Sequence, residues 1–198
     1  DKIKVVEKVV EIADDVLIGG GMAATFIKAM GCEVGKSIVE ESYIQKAKDL
    51  LAVNSSSFGN LFLPKDVVVA DKFSSEAATR VCAISDIKPY EILMDIGPST
   101  VSLFSSIISK SSLILWNGPM GVFEMSSFSS GTKAIATSMV NTQAITIIGG
   151  GSTVEAVSSI GLEDNMTHVS TGGGASLEFL EGRELPGVTS LMNSGISK

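Results

Sequence analysis

Three consecutive glycines occur at three places in the chain: "VLIGGGM" (Gly19 to Gly21), "IIGGGST" (Gly149 to Gly151) and "VSTGGGA" (Gly172 to Gly174). Each triplet follows a short apolar run and precedes a segment with helical spacing, so each marks a strand-to-helix junction. A junction of that kind exposes the first N–H groups of a helix at its positive dipole end, and a residue without Cβ lets an anion reach them. The chemistry such a pattern serves is the holding of phosphate oxygens. Glycine also makes tight turns between strand and helix, and that packing reading stands beside the first. In a parallel sheet all such junctions fall along the carboxyl edge of the strands, so three together suit an extended ligand with one or more phosphates.

Two named phosphate motifs are tested by spacing. "GCEVGKS" (Gly31 to Ser37) has three residues between its glycines where a Walker A loop needs four, and it follows no strand, so it is excluded. "GGGMAA" (Gly19 to Ala24) satisfies G-x-G-x-x-A after a strand and leaves a NAD(H)-binding oxidoreductase domain open. That pattern wants a second strand ending in an acid about 20 residues on. Glu40 and Glu41 have the distance but begin a predicted helix.

These residues need a frame, and the apolar pattern supplies one. Strands are expected at Val16–Ile18, Val67–Val69, Ile92–Asp95, Leu113–Trp116, Ile145–Ile148 and His168–Ser170. Most are continuous apolar runs, as in strands buried on both faces of a parallel sheet. Helices are expected at the N-terminus (Ile3, Val6, Val10 and Ala13 on one face) and at Ala23–Met30, Val39–Val53, Thr100–Ser109, Ser129–Val140, Val154–Ile160 and Ala175–Leu180. The alternation predicts an α/β fold: three layers, a mostly parallel sheet and helices on both faces, Rossmann-like. No linker or repeat divides the chain, so one domain spans residues 1–198.

Composition narrows the function classes. The 198 residues are 44% hydrophobic and carry a net charge of −7, which suits a globular domain and argues against a broad nucleic-acid contact. Two cysteines (Cys32, Cys82) and one histidine (His168) do not build a disulfide framework or a multi-histidine metal site. No apolar run approaches the roughly 20 residues of a membrane span, and no signal-peptide core opens the chain. A cytoplasmic protein is expected. The chain starts without Met and reads as a fragment.

At "LWNGPMGVFE" (Leu115 to Glu124) an Asn-Gly-Pro turn follows a buried strand and leads into Gly-Val-Phe-Glu. This stretch closely resembles a signature of phosphoglycerate kinase. The same family's patterns appear in order as "IGGGMAATFIK", "VADKF", "DIGP", "TIIGGGST" and "HVSTGGGASLEFLEGRELPGV". The resemblance is to the C-terminal, nucleotide-binding lobe of a two-lobed enzyme, the N-terminal substrate lobe being absent from this chain.

The resemblance implies roles position by position. Gly20 and Gly21 would wall the adenine, with Ile38, Phe73 and Val122 completing an apolar slot. Glu124 would accept hydrogen bonds from the ribose hydroxyls. Asn117 would stand near the phosphates, in a turn shaped by Gly118 and Pro119. Gly150, Gly151 and Thr153 would form one phosphate-holding helix N-terminus, and Gly172, Gly173 and Gly174 a second one facing the transferring phosphoryl group. Lys2 would reach the phosphates on closure. Ser152 stands where the family usually has an aspartate serving Mg²⁺, and Leu93 where it commonly has a glycine lining the nucleoside pocket. A further family lysine would precede Lys2. His168 reads as a hinge or core residue, because phosphoryl transfer needs charge stabilisation more than proton transfer.

The activity implied is reversible phosphoryl transfer between 1,3-bisphosphoglycerate and ADP, giving 3-phosphoglycerate and ATP, with Mg²⁺ accompanying ADP/ATP. The lobe alone is expected to be monomeric and inactive, without nucleic-acid or membrane partners. The alternatives are the oxidoreductase domain above and a non-catalytic nucleotide-binding module.

Overall fold

Ile3, Val6 and Val10 recur at helical spacing and form the buried face of the first helix, α1 (Lys2–Ile12). Ala13, expected on the same face, falls just past the helix end, half-buried against the same core. The computed structural model describes residues 2–52, 59–170, 172, 178 and 182. The expected helix at Ala175–Leu180 falls outside that set, apart from position 178.

From α1 the chain enters β1 (Asp15–Leu17), α2 (Gly20–Ala29) and α3 (Ile44–Ala52). The helix expected from Val39 begins later, because Glu41–Tyr43 makes a single 3-10 turn first. Its apolar spacing is nonetheless the one that packs: Ala47 is fully buried, and Tyr43, Ile44, Leu50 and Leu51 lie against the same core. Two strands carry no strong apolar run and were not expected, β2 (Asn60–Phe62) and β4 (Thr79–Ala83). Between them runs β3 (Asp66–Ala70), and beyond them β5 (Ile92–Ile96), α4 (Pro98–Ile108), β6 (Leu113–Asn117), α5 (Ser130–Val140), β7 (Ile145–Gly149), α6 (Gly151–Ser159) and β8 (His168–Ser170).

The fold is α/β, with parallel ladders flanked by helices: β1 pairs with β2, and β7 pairs with both β6 and β8. One expectation needs correction. β3 and β5 belong to a separate antiparallel sheet of order β4-β3-β5. The apolar runs at Val67–Val69 and Ile92–Asp95 are buried because this sheet lies between helices and the cleft loops, and burial alone does not distinguish parallel from antiparallel pairing. The β3–β5 register slips by one residue between Val68 and Val69, leaving Met94 as an extra residue on β5.

Two main cores result. Phe26, Ile27, Val67 and Val69 centre the one beneath α1 to α3. Phe104, Ile135, Met139, Ile148 and Val157 centre the one beneath α4 to α6. A smaller cluster of Ala70, Met94 and Phe128 underlies Val122 and Met125. Alternation along β6 and β7 sends Trp116 and Ile148 into the second core and leaves Leu113, Leu115 and Ile145 exposed on the other face. Burial on both faces, expected from the apolar runs, therefore fails at these three positions among the described residues.

The start of α4 is capped from outside. The N-cap of α4 is Gly97, which has no side chain to give. Asp66 on β3 takes that role: its carboxylate accepts the Ser99 amide at 3.0 Å and the Thr100 amide and hydroxyl at 2.7 Å each. Burial pushes the Asp66 carboxyl up, but the bonds from Thr100 and Ser99 outweigh it and hold it below the usual carboxylate range. Its stabilisation is thus present above the unfolded value and lost as pH falls through the folded one. Asp66→Asn is expected to cost about 1–3 kcal/mol near neutral pH. The Tm deficit should shrink as the pH falls below the normal carboxylate range, and thermal unfolding of both chains across that range checks it.

Candidate functional site

β6 ends in the turn Asn117–Gly118–Pro119–Met120, and four different elements grip it. The Gly118 amide donates to the buried Thr153 hydroxyl on α6 at 2.6 Å. The Met120 amide donates to the buried Thr132 hydroxyl on α5 at 3.0 Å. The Met120 carbonyl accepts the Gly20 amide at the start of α2, and the Val122 amide donates to the Met94 carbonyl on β5. The single tryptophan joins them, Trp116 Nε1 donating to the Gly118 carbonyl at 2.7 Å.

The turn comes so close to two helix starts that only glycine fits there. Gly20 has φ +59°, and a Cβ on it would lie 2.3 Å from the Pro119 carbonyl oxygen. Gly150 has φ +87°, and a Cβ there would lie 2.9 Å from Asn117 Nδ2. Conformation disfavours a side chain at both positions, and at Gly20 the backbone oxygen leaves no space for one. Asn117 therefore lies over the N-terminus of α6.

Beside this turn opens a cleft of about 490 Å³. Phe73, Val122, Phe123 and Met125 give it apolar walls, Pro119 and Gly121 its floor, and Glu124 and Ser152 its polar groups. Phe73 comes from the loop between β3 and β4 and is 62% exposed. That loop is shaped by Asp71, whose carboxylate accepts the Ala78 amide at 3.0 Å, and it is tied across by the Ser127 hydroxyl, which donates to the Ser75 carbonyl.

Of the expected site residues, Phe73, Pro119, Val122, Glu124 and Ser152 meet in this one cleft. Asn117, Gly118, Gly150, Gly151 and Thr153 gather at the start of α6 next to Ser152. Thr153 turns its hydroxyl inward to Gly118, whereas Gly151 faces open space. Gly20 lies behind Pro119, and Gly21 is exposed. Ile38 and Leu93 do not line the cleft. Ile38 is 88% exposed, while Leu93 packs into the first core with its amide donating to Ser37 Oγ. Lys2 opens α1. Gly173 and Gly174 lie outside the described residues; the Gly172 amide donates to Ser170 Oγ at 3.3 Å. His168 is exposed at the start of β8, so the core placement considered for it is wrong.

The dinucleotide pattern loses its second half. Glu41 sits in the 3-10 turn, ion-paired with Lys28 at 2.6 Å. The strand paired beside β1 ends on Phe62, which carries no acid for a ribose.

Asp95 was missed. It is fully buried, with Oδ2 accepting the Gly131 amide at the start of α5 and Oδ1 accepting the Ile96 amide. Burial pushes its carboxyl up to about 6, against the pull of those two amides. A signal was available: one acid inside the apolar run "ILMDI" must find buried partners or it would not be there.

Among the described residues no three His, Cys, Asp or Glu side chains gather as a metal site, and no helix is long and apolar enough to cross a membrane.

Comparison with known proteins gives a consistent answer. A family profile described as Phosphoglycerate kinase matches residues 1–183. A phosphoglycerate kinase of Roseiflexus sp. (strain RS-1) is 51% identical over 191 residues, 96% of this chain and 48% of that protein. One from Clostridium botulinum (strain 657 / Type Ba4) is 47% identical over the same shares. The structure of phosphoglycerate kinase from Coxiella burnetii aligns with a TM-score of 0.91 at 39% identity, covering 95% of this chain and 49% of that one. The chain spans about half the length of the curated relatives it matches.

Thr153→Val keeps the shape of the side chain but leaves the Gly118 amide without its acceptor. A loss of about 1–3 kcal/mol is expected, seen as a Tm lower by several degrees, with Thr153→Ser, which keeps the acceptor and loses only a buried methyl, costing less. Calorimetric unfolding of the two variants checks the hydrogen bond, and equal Tm values for both would remove it.

Proposed function

The chain belongs to the phosphoglycerate kinase family, and on that premise we propose that it is the nucleotide-binding, C-terminal lobe of such an enzyme. The observation that carries this reading is the cleft, whose apolar walls suit a planar base and which holds Glu124 and Ser152 as its polar groups. Glu124 accepts from the ribose hydroxyls. The phosphates run toward the start of α6, where the N–H groups of Gly151 and Ser152 and the helix dipole offer positive potential beneath Asn117.

The reaction is transfer of a phosphoryl group from an acyl phosphate, 1,3-bisphosphoglycerate, to ADP. The bond between phosphorus and the acyl oxygen breaks, a bond to a β-phosphate oxygen of ADP forms, and 3-phosphoglycerate leaves as a carboxylate. No protein nucleophile is required. This chain's residues orient the acceptor and neutralise charge on the moving group. Bound with the nucleotide, Mg²⁺ would supply neutralisation of phosphate charge. Ser152, exposed on the cleft wall, fits as one neutral oxygen donor. The phosphoglycerate half of the reaction needs the other lobe, so this chain by itself binds ADP without turnover. Its setting is the cytoplasm, where those soluble metabolites are exchanged.

Titration calorimetry with ADP, with and without Mg²⁺, tests the proposal against NADH. ADP heat that depends on Mg²⁺, and none from NADH, is the expected result. Glu124→Ala should weaken ADP by about tenfold without lowering Tm, since the side chain is exposed. Ser152→Asp should steepen the Mg²⁺ dependence. Heat from NADH alone would overturn the kinase reading.

A further inference from the structure

Asp95 has no place in the reaction just described, yet it stands directly beneath the cleft. A Cβ on Gly121, a cleft residue, would lie 2.4 Å from Asp95 Oδ1 and 2.6 Å from the Phe128 carbonyl oxygen. A Cβ on Gly131 would lie 2.3 Å from the same Oδ1. The carboxylate is therefore wedged between the bend of the cleft loop and the first turn of α5, and it accepts the Gly131 amide at 2.8 Å. On either side of that bend, Met120 is held by Thr132 of α5 and Val122 by the Met94 carbonyl next to Asp95.

We infer that Asp95 is a positioning residue for the nucleotide cleft: its carboxylate holds the start of α5 and the Gly121 bend in one frame, and so sets where Val122 and Glu124 stand. The inference rests on the nucleotide reading above. Neutralising the carboxylate changes that frame, because a protonated or amidated group accepts less strongly and presents a donor where Gly131 and Ile96 already point N–H groups.

The surroundings leave Asp95 to titrate by itself. β3 sets Val68 opposite it, the loop sets Gly121 and α5 sets Gly131. The influences on its charge are burial, which raises the carboxyl to about 6, and the Gly131 and Ile96 amides, which lower it. The acids nearest in sequence, on the neighbouring strand and across the loop are engaged elsewhere or exposed: Glu91 pairs with Arg80, Asp66 caps α4, and Glu124 faces solvent. Two opposite pH dependences follow. A carboxyl raised in the folded state adds stability below its unfolded value, and that stability is lost as pH rises through about 6. The frame, and with it ADP affinity, weakens in the other direction, as pH falls through the same range.

The test uses the 198-residue chain, ADP with Mg²⁺, and three proteins: wild type, Asp95→Asn, and Phe104→Leu as a core variant remote in role. Trp116 reports on the turn, because its indole bonds the Gly118 carbonyl. At pH 7.5 Asp95→Asn is expected to bind ADP about fivefold more weakly, with shifted Trp116 emission. At pH 5.5 the ratio of the two affinities should approach one. Titration of the ADP phosphate is common to both proteins and cancels in that ratio. Phe104→Leu should lose Tm while keeping wild-type affinity and pH profile, as a merely structural role would.

A second measurement needs no Asp95 variant. Without ADP, wild-type Trp116 emission should titrate with a midpoint near 6 that His168→Gln leaves in place. A wild-type to Asp95→Asn ratio independent of pH, or emission flat from pH 5 to 8, would overturn the inference while ADP binding by wild type stands. Absence of ADP binding by wild type would overturn the nucleotide reading and this inference with it.

Discussion

The site depends on the hydrogen bonds that hold the turn after β6. Between Trp116 and Val122 the backbone is held by a hydroxyl from α6, a hydroxyl from α5, an amide from α2 and a carbonyl from β5. Each such bond contributes only about 1 kcal/mol net, but leaving a buried partner unmade costs about 1–3 kcal/mol. The turn is therefore defined less by the strength of any one contact than by the cost of breaking any of them in a buried setting. Apart from Phe73, which comes from the loop between β3 and β4, the lining of the cleft is referred to this one segment. Pro119 and Gly121 belong to it, Val122 and Glu124 follow it, and Ser152 sits one residue from the threonine that grips it.

Two buried carboxylates serve this frame in contrasting ways. Asp66 and Asp95 both leave a strand of the antiparallel sheet and both meet the first turn of a helix. Asp66 receives a hydroxyl and two amides and stays below the usual carboxylate range. Asp95 receives only two amides in a fully buried site and rises to about 6. The balance of donors against desolvation makes one a permanent cap and the other a cap that titrates within reach of neutral pH.

Much of this was readable in the chain, and the parts that were not share a cause. Continuous apolar runs located β3, β5, β6 and β7, because their side chains enter cores. β2 and β4 were missed because Asn60, Thr79 and Arg80 give no apolar period, and their strand state comes from pairing with β1 and β3. The direction of β3–β5 pairing was also hidden, since direction is a tertiary property. Within the site, Phe73, Pro119, Val122, Glu124 and Ser152 were legible through resemblance and do meet in one cleft. Ile38 and Leu93 were drawn from the same resemblance but lie outside it: Leu93 packs against the first core, and Ile38 projects into solvent. Thr132 and Asp95 left only a faint mark, because their importance comes from a turn more than 10 residues away or packed from another strand.

The glycine triplets divide their work between the two readings that spacing left open. In the first, Gly20 is buried under the Pro119 carbonyl and its amide is spent on Met120, so its lack of Cβ serves protein packing. In the second, Gly150 admits the Asn117 amide while Gly151 opens onto free space at the start of α6. At Gly20 the first junction is closed against the turn after β6, whereas at Gly151 the second is open. The closed one fixes the turn against the domain, and the open one leaves helix N–H groups facing the side from which an anion arrives. Glycine in this chain is thus no signature of phosphate by itself. What distinguishes the α6 junction is the Asn117 side chain lying over Gly150, since Gly21, like Gly151, has open space in front of it.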